Sequence, residues 1–211
     1  MLKLISFAML FITTFLRVWV PLIICLILRE FIQRGIESIF CPKKHSKVQL
    51  LNPFGSFFFP FILYSFRITI GSSLIFGWTK PKYNNDLTTA QNLLVAVSGP
   101  LFHLLLALLL NFFAFHVWGF NMLIEGNLRD WFLAPWIKDI IEINFVLFLV
   151  NLLPFYPFDM SRMLAPFFMK KDGSHLLAFQ VTGLWMTLLI FISPYTWALI
   201  DKAVRVFVSL V

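Results

Sequence analysis

The feature that most constrains this chain is a succession of apolar runs, each close to the length that crosses a bilayer. A hydrocarbon core about 30 Å thick takes roughly 20 apolar residues of helix. About five stretches approach that length. They cover about Leu4–Leu28, Phe57–Trp78, Asn92–Trp118, Ile140–Val150 and beyond, and Leu176–Ile200. The first is too long for a signal-peptide core and no small-residue cleavage site follows it, so it is read as a retained helix continuing towards Ile39. Of 211 residues, 60% are hydrophobic and 13% charged, a balance that one soluble domain cannot bury. Lipid must cover the excess. The expected fold is all-α: one polytopic integral membrane domain over residues 1–211, a bundle of about five hydrophobic helices with the lipid bilayer as its main partner.

The formal net charge is +7, which in a soluble protein would raise nucleic acid as a partner. Here the basic residues lie mainly in short links between apolar runs, where topology places them, and no nucleic-acid partner is expected. The link from Arg29 to Asn52 carries Arg29, Arg34, Lys43, Lys44 and Lys47 against Glu30 and Glu37. That excess leans this side towards the cytoplasm. Cys25 lies in an apolar run and Cys41 in a basic link, so neither a disulfide framework nor a CxxC metal motif is present.

Polar residues inside the apolar runs point to function. Asn151-Leu-Leu-Pro-Phe-Tyr-Pro-Phe-Asp159 sets Pro154 and Pro157 in apolar surroundings, which breaks any regular helix there. Broken backbone at membrane depth survives only where protein or a watery cavity satisfies it. The ionisable candidates are Arg17, Glu30, Arg67, Asp159 and Arg162. Arg17 reads as a snorkelling side chain. For Arg67, pairing, lining water and snorkelling stay open. Asp159 and Arg162, three apart, would form an i, i+3 pair if a helix restarts after Pro157. The histidines are His45, His103, His116 and His175, with no His-x-x-x-His pair. His103 and His116 share a helix but would stand about 20 Å apart. No serine elbow is present.

Several motifs carry a resemblance. Leu51-Asn-Pro-Phe-Gly55, Phe76-Gly-Trp-Thr-Lys-Pro81, Leu94-Val-Ala-Val-Ser-Gly-Pro100 and Asn144 with Asn151-Leu-Leu-Pro154 through Asp159 follow one another in order. Together they resemble the site-2 protease family of intramembrane zinc peptidases, in its compact bacterial-type branch, over a core of about residues 18–165. Phe-Gly-Trp-Thr-Lys-Pro is very like the family's Phe-Gly-Trp-Ala-Lys-Pro. The resemblance implies two zinc-binding histidines from a His-Glu-x-x-His motif, an Asp as third ligand, and the Glu as general base. It also implies a multi-pass protein of a bacterial inner membrane.

At the matching positions this chain has Arg29 and Gln33 in place of the histidines, while Glu30 and Asp159 remain. Met160 follows the Asp where the family has Gly, and His103 stands where the family has Asn. A guanidinium has no lone pair to give and stays protonated. The reading is therefore a catalytically inactive homologue without zinc. In it Arg29 bridges to Asp159 in the metal's stead, Gln33 adds neutral hydrogen bonds and Glu30 is vestigial. His103, Asn151, Pro154 and Pro157 would line a cleft for transmembrane segments of other proteins. Two alternatives remain: an active metalloprotease rebuilt around His103 and Asp159, and a channel or carrier using Arg67 and the broken helix.

Overall fold

The computed structural model describes residues 2–41, 52–70, 75–79, 86–117, 128–168 and 176–210, and all regular structure among them is helical. The chain opens with a single long helix, α1 (Leu2–Phe40), which carries Pro21 inside it. Its outward stripe repeats every four residues through Ile12, Leu16, Val20, Ile24 and Leu28. The buried stripe runs Val18, Leu22, Cys25 and Leu26, then turns polar at Arg29 and Gln33. One helical face thus delivers both polar residues to the interior.

A π-helical turn, Pro53–Phe58, leads into α2 (Phe59–Ile70) and is opened by Asn52, whose Oδ1 accepts from Phe54 N at 3.1 Å. The expected single helix over Phe57–Trp78 is not formed: α2 ends by Ile70 and Ile75–Thr79 is irregular and fully buried. Partners in the π-helical turn take its polar groups. Trp78 N donates to Gly55 O at 3.1 Å, and Ser56 Oγ donates to Trp78 O at 3.0 Å. Gly77 allows the approach, since a Cβ there would lie 2.7 Å from Gly55 O. Phe76 and Trp78 then sit in an aromatic nest with Phe59, Phe158 and Phe191, ring centroids 4.5–6.4 Å apart.

Helix α3 (Thr89–Phe112) starts with a capping box, Thr88 and Gln91 each bonding the other's backbone N–H. It continues as a π-helical turn, Phe113–Val117. The buried face of α3 is rich in small residues, Ala96, Gly99 and Ala107, and packs against α1 and α4. Helix α4 (Leu128–Asn151) begins well before the expected Ile140, because Lys138 and Asp139 interrupt the apolar run without interrupting the helix. Asp139 is buried and takes Arg17 Nε at 2.5 Å. Arg17 is therefore paired across α1 and α4 and does not snorkel. The side chain of Arg67, and His45 and His175, lie outside the described residues.

After α4 the chain turns irregularly through Leu152–Met160 and re-enters helix as α5 (Ser161–Phe168). The fifth expected span is two helices, α6 (Leu176–Ile192) and α7 (Pro194–Leu210), bent by 75°. Pro194 has no N–H to carry the ladder across Ser193. Among the described helices α3 is long and apolar enough to cross a membrane by itself, and α6 with α7 passes the same test only as a bent pair. The fold is all-α, with fewer clear spans than the five expected.

Candidate functional site

The site forms where the polar end of the α1 stripe meets the break after α4. Asn151 closes α4 and organises the break. Its Nδ2 donates to Leu147 O at 2.8 Å, its Oδ1 accepts from Asp159 N at 3.4 Å, and its backbone O accepts from Met160 N at 3.2 Å. Short turns fill the rest, with Phe158 N on Phe155 O at 2.9 Å and Ser161 N on Phe158 O at 3.1 Å. Pro154 and Pro157 lie in this segment, where the irregular backbone has room for residues without N–H. Helix α6 covers it: Thr187 Oγ1 donates to Tyr156 O at 2.9 Å, and a Cβ at Gly183 would fall 2.7 Å from Tyr156 N.

These constraints aim Asp159 at α1. Arg29 Nη1 lies 3.4 Å from Asp159 Oδ1 and donates to Asn151 Oδ1 at 3.4 Å, while Nη2 donates to Thr79 Oγ1. Thr79 Oγ1 in turn donates a hydrogen bond to Glu30 Oε2 at 3.1 Å. Glu30 is held from its other side by Arg34, whose Nε and Nη2 reach Oε1 at 3.0 and 2.9 Å. The result is a continuous polar chain, Arg34–Glu30–Thr79–Arg29–Asp159, in which Arg29 and Asp159 are 1% and 2% exposed. Ions so buried are tolerated only when paired and hydrogen-bonded.

Gln33, one turn after Arg29, faces the same carboxylate. A Cβ added at Gly99 of α3 would overlap Asp159 Oδ2 and lie 2.5 Å from Gln33 Nε2. Gly99 is thus the opening through which α3 admits both groups. Gln33 Nε2 also donates to Val95 O at 3.4 Å.

His103 follows Gly99 by one turn and is fully buried. Asn144 donates through Nδ2 to Ile140 O at 2.8 Å and to Cys25 Sγ at 3.3 Å, so its Oδ1 accepts from His103 Nδ1 at 2.9 Å. Nδ1 then carries the proton and Nε2 is left as a buried lone pair without a partner. His116 is exposed and stacks on Phe112, away from this region.

Among the described residues no three His, Cys, Asp or Glu side chains converge as metal ligands. The donors around Asp159 do not fit zinc. Arg29 presents N–H groups to the carboxylate, and Gln33 is a carboxamide where an imidazole would be needed. The expected Asp159–Arg162 pair is also absent. Arg162 donates its backbone N–H to Asp159 O at 3.1 Å as α5 begins, but the Asp159 carboxylate is directed to Arg29. Thr79 had no signal in the sequence beyond its place in the Phe-Gly-Trp-Thr motif, and Gly99 none beyond Gly-Pro.

No protein-family model matches the chain, and no solved structure matches it. Among curated proteins it is similar to YwhC of Bacillus subtilis (strain 168), whose name proposes a zinc metalloprotease. The two are 30% identical over 127 residues, 56% of this chain and 56% of the relative, so the chain spans about half the length of the curated relative it matches. That likeness supports a site-2-protease-like relationship.

Proposed function

We propose that this chain is a membrane-embedded relative of site-2 proteases in which a buried ion pair stands where the family places zinc, and that it holds a transmembrane segment without cutting it. The observation that carries the reading is the convergence of Arg29 and Gln33, four apart on one face of α1, upon Asp159. Those are the positions at which the resemblance places the two metal-binding imidazoles and the carboxylate. A fixed cation within 3.4 Å of Asp159 repels a divalent ion and offers it no lone pair. Glu30, the general-base position, is bonded to Arg34 and Thr79.

The exterior supports a lipid setting. Large apolar side chains are exposed along α1, α2, α3, α6 and α7, while Arg29, Glu30, His103, Asn144, Asp159 and Arg162 are buried. Multi-pass insertion, in a bacterial inner membrane, belongs to this proposal. A rebuilt metal site is the second reading. His103 Nε2 and Asp159 Oδ2 both lack partners, but they supply two donors where a catalytic zinc takes three from the protein.

Elemental analysis of the detergent-purified protein separates the readings. Less than about a tenth of a zinc per chain is expected, in the wild type and in Asp159→Ala alike. About one zinc, lost in the variant, would overturn the proposal. Binding is read separately. A photo-crosslinking residue at Leu152, exposed beside the break, should capture single-span peptides in lipid vesicles at full length. Peptide fragments in wild type would refute the non-cutting reading, and no capture would refute the binding one.

A further inference from the structure

We propose that the buried cluster around Asp159 binds a small monovalent anion at the Arg162 guanidinium. The cluster contains three guanidinium groups, Arg29, Arg34 and Arg162, and two carboxylates, Glu30 and Asp159. Glu30 Oε1 is taken by Arg34 and Oε2 by Thr79. Asp159 Oδ1 is taken by Arg29. Arg162 has no ion pair among the described residues, is 4% exposed, and its Nε and Nη1 have no hydrogen-bond partner.

A guanidinium without an ion pair in a low-dielectric interior is costly and cannot lose its charge by deprotonation. Its unsatisfied N–H groups call for acceptors, and its charge calls for an anion. The surplus is a single positive charge, which selects a monovalent species. Exposure of 4% leaves no surface for a folded partner and restricts the ligand to a small ion. Helix α5 begins at Ser161, so Arg162 is fixed to the same turn that holds Asp159. A bound anion there would brace the start of α5 beside the break. The inference stands apart from the fate of the metal, since Arg162 Nε and Nη1 have no hydrogen-bond partner and its charge reaches Asp159 only through space.

The full chain in detergent is titrated with chloride at constant ionic strength, against a bulky sulfonate that cannot enter. Thermal unfolding is followed by tryptophan fluorescence. A saturable rise in midpoint of at least about 3 °C is expected. Arg162→Gln should abolish it, whereas Lys138→Gln, at an exposed cation outside the cluster, should leave it in place. If Arg162→Gln does not fold, Arg162→Lys decides: the half-saturating chloride concentration should rise about tenfold. No saturable response in the wild type overturns the proposal. So does an unchanged response in Arg162→Gln, or an unchanged half-saturation in Arg162→Lys. Zinc content is a separate readout, so failure here leaves the ion-pair reading to its own test.

Discussion

Neutralising Arg29 and Asp159 singly and together tests whether the pair does the structural work of a metal. Removing one partner of a buried ion pair costs about 3–5 kcal/mol, chiefly because the other charge is left without compensation. The two single losses should not be equal. Asp159→Asn takes from Arg29 its nearer carboxylate, beside an Arg162 that already has no ion pair, and belongs at the upper end, about 5 kcal/mol. Arg29→Met leaves one carboxylate, with Arg162 three residues away to turn towards it, and belongs near about 3 kcal/mol. For a chain of this size each kcal/mol moves the midpoint by about 2–4 °C, giving drops of about 10–20 °C and 6–12 °C. The double variant removes both charges and should lie within about 2 kcal/mol of the wild type. Thermal unfolding in detergent, at one chloride concentration, reads all four proteins. A double variant whose drop equals the sum of the singles would show that the two groups act independently, and the ion-pair argument would fail.

Other outcomes follow from the same geometry. Arg29→His combined with Gln33→His places two imidazoles beside Asp159, and elemental analysis should then find about one zinc per chain, lost again with Asp159→Ala. No uptake would mean that the two α1 positions do not face the carboxylate together. Gly99→Ala sets a methyl into Asp159 Oδ2 and should cost about 1–3 kcal/mol in thermal unfolding, whereas Gly35→Ala, with open space around it, should cost nothing or stabilise slightly. Thr79→Val keeps shape but removes the hydroxyl between Arg29 and Glu30. It should cost about 1–3 kcal/mol, and a neutral result would deny Thr79 its bridging place.

The sequence exposed some of this and hid the rest for identifiable reasons. Arg29 and Gln33 are spaced to share a helical face, and Pro154 and Pro157 announce a break, but the meeting of α1 with the Asp159 segment was legible only through the family resemblance. Apolarity misled where it was taken for helix. Ile75–Thr79 is as apolar as a span, yet Gly77 and the bonds to Gly55 and Ser56 make it a buried irregular segment. Asp139 made α4 look short because a carboxylate stops an apolar count, although Arg17 satisfies it across the interface. The proximity of Asp159 and Arg162 in sequence suggested a pair, but the carboxylate is claimed by a residue 130 positions earlier. Long-range claims of that kind leave no local trace.

A metal and a guanidinium both hold a carboxylate at the end of a broken helix, but they leave different chemistry behind. An ion with three protein ligands keeps a coordination position open and can polarise whatever occupies it. Arg29 spends its directional donors on neighbours already present: Nη1 on Asp159 and Asn151, Nη2 on Thr79. Its charge is delocalised and fixed, so it steadies the carboxylate without activating a water. Such an exchange preserves the join between α1, Thr79 and the Asn151–Asp159 segment, which is what a cleft between helices needs in order to keep its shape. On the proposed reading, recognition and hydrolysis part company at this one position. A surface for a helix survives the loss of the metal because the metal's mechanical role passes to Arg29, and its electrophilic role passes to nothing.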